Sequence, residues 1–356
     1  MNWNNQITEL LQIKYPFIQA PMLVVSTPEM LVAAGEAGCL GSLALGDLDA
    51  ETCLKSIHQV QKMTDRSFAA NIFVHQLPKV TDELKLQYNK TKSFLESFAN
   101  EHHLEVVFPD FELIKLHPYQ EQIDAIIDAK AKVFSFTFGN IDDESVEKLK
   151  SKNIKIIGTC TSLHEAVELE KIDVDLICVQ GLEAGGHRGS FGDENIPKIG
   201  GLSLLNSVFE NVKKPIVYAG GLSNSQTILA AKALGAQAFQ IGTMLLCSKE
   251  SQLKEVEKQK LKSASEEDII LIKSFSGRYA RGLKNTFTDF VENSDFVLPY
   301  PYQNKLTAEL RKVAKSQSNP NFVNIWTGQS IGHFSEESTK DILQNLIVSV
   351  EKLLKV

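Results

Sequence analysis

The chain has 356 residues, 43% of them hydrophobic and 23% charged, with a net charge of −7. That is enough apolar material for a large buried core and more than one ordinary domain needs, so a soluble globular protein is expected. The acidic balance lacks any basic block and so excludes a nucleic-acid footprint, and no apolar run approaches the ~18 residues of a membrane span. Five scattered cysteines, Cys39, Cys53, Cys160, Cys178 and Cys247, have no paired spacing and read as reduced thiols. With no basic and apolar leader at the N-terminus, a cytoplasmic protein without membrane contact is the expectation.

Taken in chain order, eight short β-like runs appear at residues 17–20, 41–45, 68–73, 133–138, 155–159, 176–180, 215–219 and 238–242. Amphipathic stretches lie between them, among them 27–37, 142–151, 162–171 and 225–234. Strand and helix in alternation predict a parallel sheet, and eight such units predict a TIM-type (β/α)8 barrel over residues 1–246. The gap 74–132 is too long for one crossover helix and reads as an elaborated loop with a helix over 81–101. After the eighth run the alternation stops. A charged helix over 249–267 and an irregular stretch over 271–314 suggest a small, mostly helical substrate domain at 247–327. The segment 328–356 returns to the barrel through an amphipathic helix at 338–354.

The sixth run is followed by Gln180-Gly181-Leu182-Glu183-Ala184-Gly185-Gly186-His187-Arg188-Gly189. Three of these glycines, Gly185, Gly186 and Gly189, let the backbone turn sharply and lie close to a flat ligand. His187 is a titrating side chain just past a strand end, where an α/β barrel keeps its acid or base. The competing reading of this segment alone is a plain turn carrying a surface histidine.

The remaining strand ends support the first reading. Met22 follows the first run, and Asn71 and His75 close the third. Gly139 follows the fourth, Thr159 ends the fifth, Gly220-Gly221 follows the seventh and Gly242-Thr243 follows the eighth. Glycines there, with a hydroxyl, offer donors to one phosphate monoester. There is no G-x-G-x-x-G at a strand-to-helix turn and no P-loop, so a dinucleotide held in Rossmann fashion is not supported and a nucleoside-triphosphate site is argued against. FMN fits: phosphate at the seventh and eighth strands, ring across the barrel mouth. Asn71, Gln180 and Gln240 could bond the ring edge or ribityl chain, or be satisfied loop amides. No metal is expected. His102-His103 lacks a set of partners and reads as solvated, and Asp142-Asp143-Glu144 reads as the acidic opening of a helix.

With these motifs assembled, the sequence resembles the nitronate monooxygenases, formerly 2-nitropropane dioxygenases. The resemblance is collinear through Tyr15 to Met22, Asn71 to His75, Phe136 to Gly139, Gln180 to Gly189, Ala219-Gly220-Gly221, Gly235-Ala236, Gln240 to Thr243, Phe275 to Gly282 and Trp326 to Ser330. It implies a flavoenzyme on an eight-stranded barrel, with flavin contacts at Met22, Asn71, Gln180, Gly185, Gly221, Gln240, Ile241, Gly242 and Thr243 and a functional histidine at His187. Ser276 and Tyr302 are expected to line the pocket from the capping domain. Leu23, Tyr218 and the turn Leu222 to Ser225 depart from the family pattern, and the first two are expected to touch the barrel mouth or interior.

The implied reaction takes an alkyl nitronate such as propionate 3-nitronate, with O2, to a carbonyl compound and nitrite, a detoxification chemistry. His187 would deprotonate a neutral nitroalkane or, the expected role for a nitronate, hold the anionic nitro group. An NAD(P)H-dependent quinone or enoyl-thioester reductase on the same barrel is the nearest alternative. A flavin-binding module without turnover is an alternative of another class, and a homodimer stays open.

Overall fold

The computed structural model describes residues 3–192, 194–332 and 334–354. All eight predicted runs form strands with ends within a residue or so of expectation. They are β1 (Phe17–Gln19), β2 (Gly41–Gly46), β3 (Phe68–Phe73), β4 (Val133–Thr137), β5 (Lys155–Cys160) and β6 (Leu176–Gln180). A two-residue strand, β7 (Gly186–His187), intervenes before β8 (Ile216–Ala219) and β9 (Ala238–Ile241). The sheet runs β1-β9-β8-β6-β5-β4-β3-β2, all parallel, and a parallel bridge from Ile18 to Leu40 joins its ends, so the fold is a TIM-type barrel.

Alternation along each strand sorts the side chains into two layers. Leu176, Cys178, Val217, Ala219 and Ala238 point inward, and the short helix Gln6–Leu11 adds Ile7 and Leu11 to that interior. Asn5 Nδ2 donates to the carbonyl of Gln237 at 2.8 Å, which pins this plug where the strands begin. Phe134, Phe136, Ile177, Val179 and Phe239 point outward into the helix layer. The C-terminal helix Thr339–Leu353 buries Ile342, Leu343, Leu346, Ile347 and Val350 on one face and packs on helices Pro28–Glu36 and Ser225–Ala233.

The unit above the barrel differs from expectation in three respects. It contains a three-stranded antiparallel sheet, β10 (Ile269–Ile272), β11 (Ala280–Leu283) and β7, in which Ala280 pairs with His187. Helix forms only over Glu255–Ser263 in the charged stretch, whereas the supposedly irregular stretch holds β11 and helices Thr286–Val291 and Tyr302–Ser316. Closely spaced prolines at 299 and 301 hide the last of these, yet its Leu306, Leu310 and Ala314 recur every four residues and are fully buried. Finally, the gap 74–132 holds two helices, Asp82–Glu101 and Tyr119–Asp128. The second belongs to the barrel. The first sends Leu84, Tyr88, Leu95 and Phe98 into the same core as Phe287 and Leu306, so two distant segments build the upper unit. The ring of His102, expected in solvent, packs 4.5 Å from Phe98 and 5.1 Å from Phe322.

Candidate active site

One cavity sits at the carboxyl ends of the strands and draws its walls from both units. Its central element is the loop leaving β6. Gln180 splints that loop: its Nε2 donates to the carbonyl of His187 at 3.0 Å, and its Oε1 accepts from the amide of Gly189 at 2.9 Å. Arg188, 1% exposed, reaches back beneath it and donates to the carbonyls of Gly181 and Gln180. The turn also needs its glycines. A Cβ on Gly185 would lie 2.5 Å from the backbone of Thr327 and Gly328, and one on Gly189 would lie 2.5 Å from Thr137 Oγ1.

His187 lines the cavity, ringed by Phe138 at 5.4 Å, Trp326 at 5.5 Å and Phe73 at 5.9 Å between ring centres. Its Nε2 lies 2.8 Å from Ser276 Oγ. The Ser276 hydroxyl donates to the carbonyl of Arg278 at 3.0 Å, so its oxygen is left to accept from Nε2–H. This assigns the tautomer and leaves Nδ1 as the unprotonated nitrogen. Burial pushes the imidazole down to about 3, and the Arg278 and Arg311 guanidiniums push the same way, so it is neutral at ordinary pH. Phe138, against which it packs, holds a left-handed backbone at φ 84, an uncommon conformation for a bulky residue beside a functional group.

At the other end the cavity is built from backbone. Gly220 and Gly221 have φ of 115 and 68, bending the chain after β8 in a way side chains resist. Among the described residues, the amides of Gly221, Leu222, Gly242 and Thr243 donate to no protein acceptor. Thr243 Oγ1 accepts from the amide of Gly328 at 2.9 Å, which keeps the hydroxyl proton for another acceptor. Converging unshared donors suit a phosphate dianion, and the residues present therefore fit FMN. Asn71 Nδ2 donates to Ser135 Oγ at 2.9 Å, so its carbonyl oxygen remains as an acceptor in the wall.

Of the residues singled out from sequence, Met22, Asn71, Gln180, Gly185, His187, Gly221, Gln240, Gly242 and Thr243 all line this one cavity. Ile241 does not; its side chain is fully buried in the helix layer, because neighbours on a strand face opposite ways. Ser276 reaches the site through His187. Tyr302 is a correction: it stacks on Phe111 at 5.2 Å and stays off the cavity wall. Tyr218 also leaves the pocket alone, since its hydroxyl points outward against Gly201. Leu23 lines the mouth.

Sequence reasoning missed the wall contributed by Asn304, Arg311, Asn324 and Trp326. Trp326 heads one of the blocks that carry the family resemblance and could have been found there; Arg311 lies in an ordinary amphipathic helix and carries no local signal. His75 sits behind the wall with its ring 4.7 Å from Tyr300. Among the described residues, both its nitrogens and the Tyr300 hydroxyl are buried without a hydrogen-bond partner, and burial pushes His75 down to about 4.

Among the described residues no helix is long and apolar enough to cross a membrane. A family model described as nitronate monooxygenase matches residues 4–349. A probable nitronate monooxygenase of Staphylococcus aureus strain N315 is 34% identical over 357 residues, covering 99% of each chain. Among solved structures, nitroalkane oxidase from Streptomyces ansochromogenes superposes with a TM-score of 0.88 at 30% identity over 99% of both chains. FabK from Thermotoga maritima shares the fold, with a TM-score of 0.74 at 24% identity over 99% of this chain and 97% of its own.

Proposed function

The chain belongs to the nitronate monooxygenase family, and we propose that it is an FMN enzyme that uses O2 to convert alkyl nitronates, such as propionate 3-nitronate, into a carbonyl compound and nitrite. The observation that carries this reading is the His187 imidazole, its Nε2 held 2.8 Å from Ser276 Oγ, in the same cavity as an array of unshared backbone amides.

When bound, FMN supplies the electron-accepting ring, and the protein's task is to bind, orient and exclude water. The amides of Gly221, Leu222, Gly242 and Thr243, with the Thr243 hydroxyl, would hold its phosphate. Asn71 and Gln240 lie where polar ring or ribityl atoms would need partners. The aromatic wall of Phe73, Phe138 and Trp326 keeps the space beside His187 apolar. Toward a neutral nitroalkane, the bare Nδ1 of His187 can take the α-carbon proton while Ser276 steadies the opposite edge of the ring. Toward a nitronate, Nδ1 must first be protonated before it can donate to the anionic oxygens, and the substrate's own charge favours that protonation. The tautomer thus supports a base role more directly than the anion-holding role expected from sequence. Removal of reactive nitro compounds in a reducing compartment suits this chemistry, since all five cysteines are free and buried.

Anaerobic mixing of the purified yellow protein with propionate 3-nitronate is expected to bleach the oxidised flavin band, and admitting air should release nitrite as nitronate is consumed. Rapid bleaching by NADH with silence towards nitronate would assign the quinone or enoyl-thioester reductase reaction instead.

A further inference from the structure

The turn leaving β1 is fixed at both ends and carries two apolar side chains at its tip. At its start Met22 packs against both the helix layer and the upper core, and its carbonyl accepts from the amides of Val25 at 3.0 Å and Ser26 at 2.8 Å. At its close Val25 is buried in the upper core, and its carbonyl accepts from the amide of Gln252 at 3.0 Å. Ser26 Oγ accepts from the Met22 amide at 3.1 Å and from Gln19 Nε2 at 2.9 Å, while Gln19 Oε1 accepts from the amide of Ser42 at 2.8 Å. Leu23 and Val24 lie between these anchors. Among the described residues, neither belongs to the barrel interior, the helix layer or the upper core.

Val24 holds φ 63, a left-handed backbone that a β-branched residue rarely adopts. Its side chain is 48% exposed, so no burial offsets the strain. The anchors impose that conformation, and its visible consequence is where Leu23 goes. Leu23 is half-buried and faces the cavity. A Cβ on Gly46, the last residue of β2, would lie 3.2 Å from Leu23 Cδ2 and 3.3 Å from Phe73 Cε2, so the leucine methyl and the edge of the Phe73 ring meet over that strand end. Phe73 in turn packs on His187 at 5.9 Å. The three side chains form one apolar strip that begins at the imidazole and ends at Leu23. An alkyl tail attached to a carbon reacting at His187 follows this strip, because the opposite wall of Asn304, Arg311 and Asn324 is polar and would be desolvated by it.

We propose that Leu23 is a specificity-determining residue that closes the apolar strip beyond Phe73 and restricts the enzyme to nitronates with a short alkyl chain. The inference rests on the nitronate reading above and narrows it by size. It falls on a position where this chain departs from the family pattern, so the limit is a property of this chain. A methylene that an apolar pocket cannot accommodate is discriminated against by roughly 10- to 200-fold.

The test uses the flavin-loaded protein with ethyl nitronate and hexyl-1-nitronate. The wild type is expected to favour the shorter substrate by about tenfold or more in kcat/KM. Leu23→Ala should collapse that ratio, chiefly by lowering KM for the longer substrate, and Leu23→Phe should widen it. Equal kcat/KM for the two nitronates in the wild type, or a ratio unmoved in Leu23→Ala, overturns the assignment. Loss of flavin in Leu23→Ala with equal loss on both substrates also overturns it, assigning the leucine to the cofactor. A second titration, following the flavin spectrum anaerobically on addition of nitroethane or 1-nitrohexane, needs no turnover. A gain in relative affinity for 1-nitrohexane in Leu23→Ala supports the size limit even where neither nitronate reacts, an outcome that would fall on the reaction reading alone. Unchanged relative affinity, or no binding of either compound, counts against the size limit.

Discussion

The two ends of the cavity present hydrogen-bond donors of opposite kinds. At the ends of β8 and β9 the donors are main-chain amides of Gly221, Leu222, Gly242 and Thr243, set by strand geometry and tight turns. At the far end they are side chains of Asn304, Arg311 and Asn324, carried on a helix and loop of the upper unit. Backbone donors cannot be altered by mutation without moving the chain, which suits a constant phosphate. Side-chain donors change one residue at a time, which suits the part of a ligand that varies within a family. His187 stands between them, on a barrel loop by sequence but paired to β11 of the upper unit and bonded to its Ser276.

The largest effect that would sharpen this contrast is expected at that junction. His187→Asn should retain flavin, because neither set of donors is touched, while turnover drops by roughly 10²–10⁴-fold. Flavin content and steady-state nitrite release measure the two halves, and an unchanged rate would remove the imidazole from the chemistry. The same residue gives a pH prediction. Its pKa is lowered to about 3, so the neutral form is lost only as the medium is acidified through that value. kcat/KM for a neutral nitroalkane should then show no histidine limb between about pH 5 and about pH 8, and a break near the ordinary histidine value would reveal a charged imidazole. Folding linkage has the matching sign: a depressed folded pKa means that the unfolded chain binds the extra proton, so this contribution to stability shrinks as pH falls below the unfolded value.

Next in size is a break at the backbone end. Gly185→Ala places its Cβ against main-chain atoms of Thr327 and Gly328, and so against the link from the Gly328 amide to Thr243. Overpacking of this kind costs about 1–3 kcal/mol, which on flavin affinity is on the order of 10- to 100-fold. Fluorescence titration of released flavin would register it, and full retention would show that the loop has slack.

A smaller change tests the connection between the units. Ser276→Ala removes the acceptor for His187 Nε2–H and frees the tautomer. A lost hydrogen bond of about 1 kcal/mol corresponds to about fivefold in rate, expected in kcat with flavin content unchanged. A fall in flavin content instead would make Ser276 part of the cofactor site.

The same contrast explains what could be read from the chain. The barrel was legible because alternating apolar runs and amphipathic helices repeat eight times, and the phosphate end was legible because glycines after strands are local signals. The distal wall was not, because Arg311 and Asn324 meet Asn304 only after the helix folds and the loop returns. Nor was the joint core of Asp82–Glu101 with Phe287 and Leu306, since nothing local says which distant segment a helical face will cover. Ile241 shows the limit from the other side: a run of four contact residues on a strand contradicts the two-residue alternation that turns every second side chain away.

Tyr302 offers the finest test, because the expected effect is nearly nothing. It lies two residues before Asn304 on the helix Tyr302–Ser316, a rotation of roughly 200°, whereas Asn304 and Arg311 are seven apart and nearly eclipse. Asn304 and Arg311 therefore share the cavity face, and Tyr302 is turned into the core to stack on Phe111. Tyr302→Phe keeps that stacked ring and removes only the hydroxyl. Its kcat/KM should stay within about twofold for carboxylated and uncarboxylated nitronates alike, with stability changed by no more than about 1 kcal/mol. A change in the ratio between the two substrates would mean that the helix presents a different face to the cavity, and Arg311 and Asn304 would then lose their shared wall along with it.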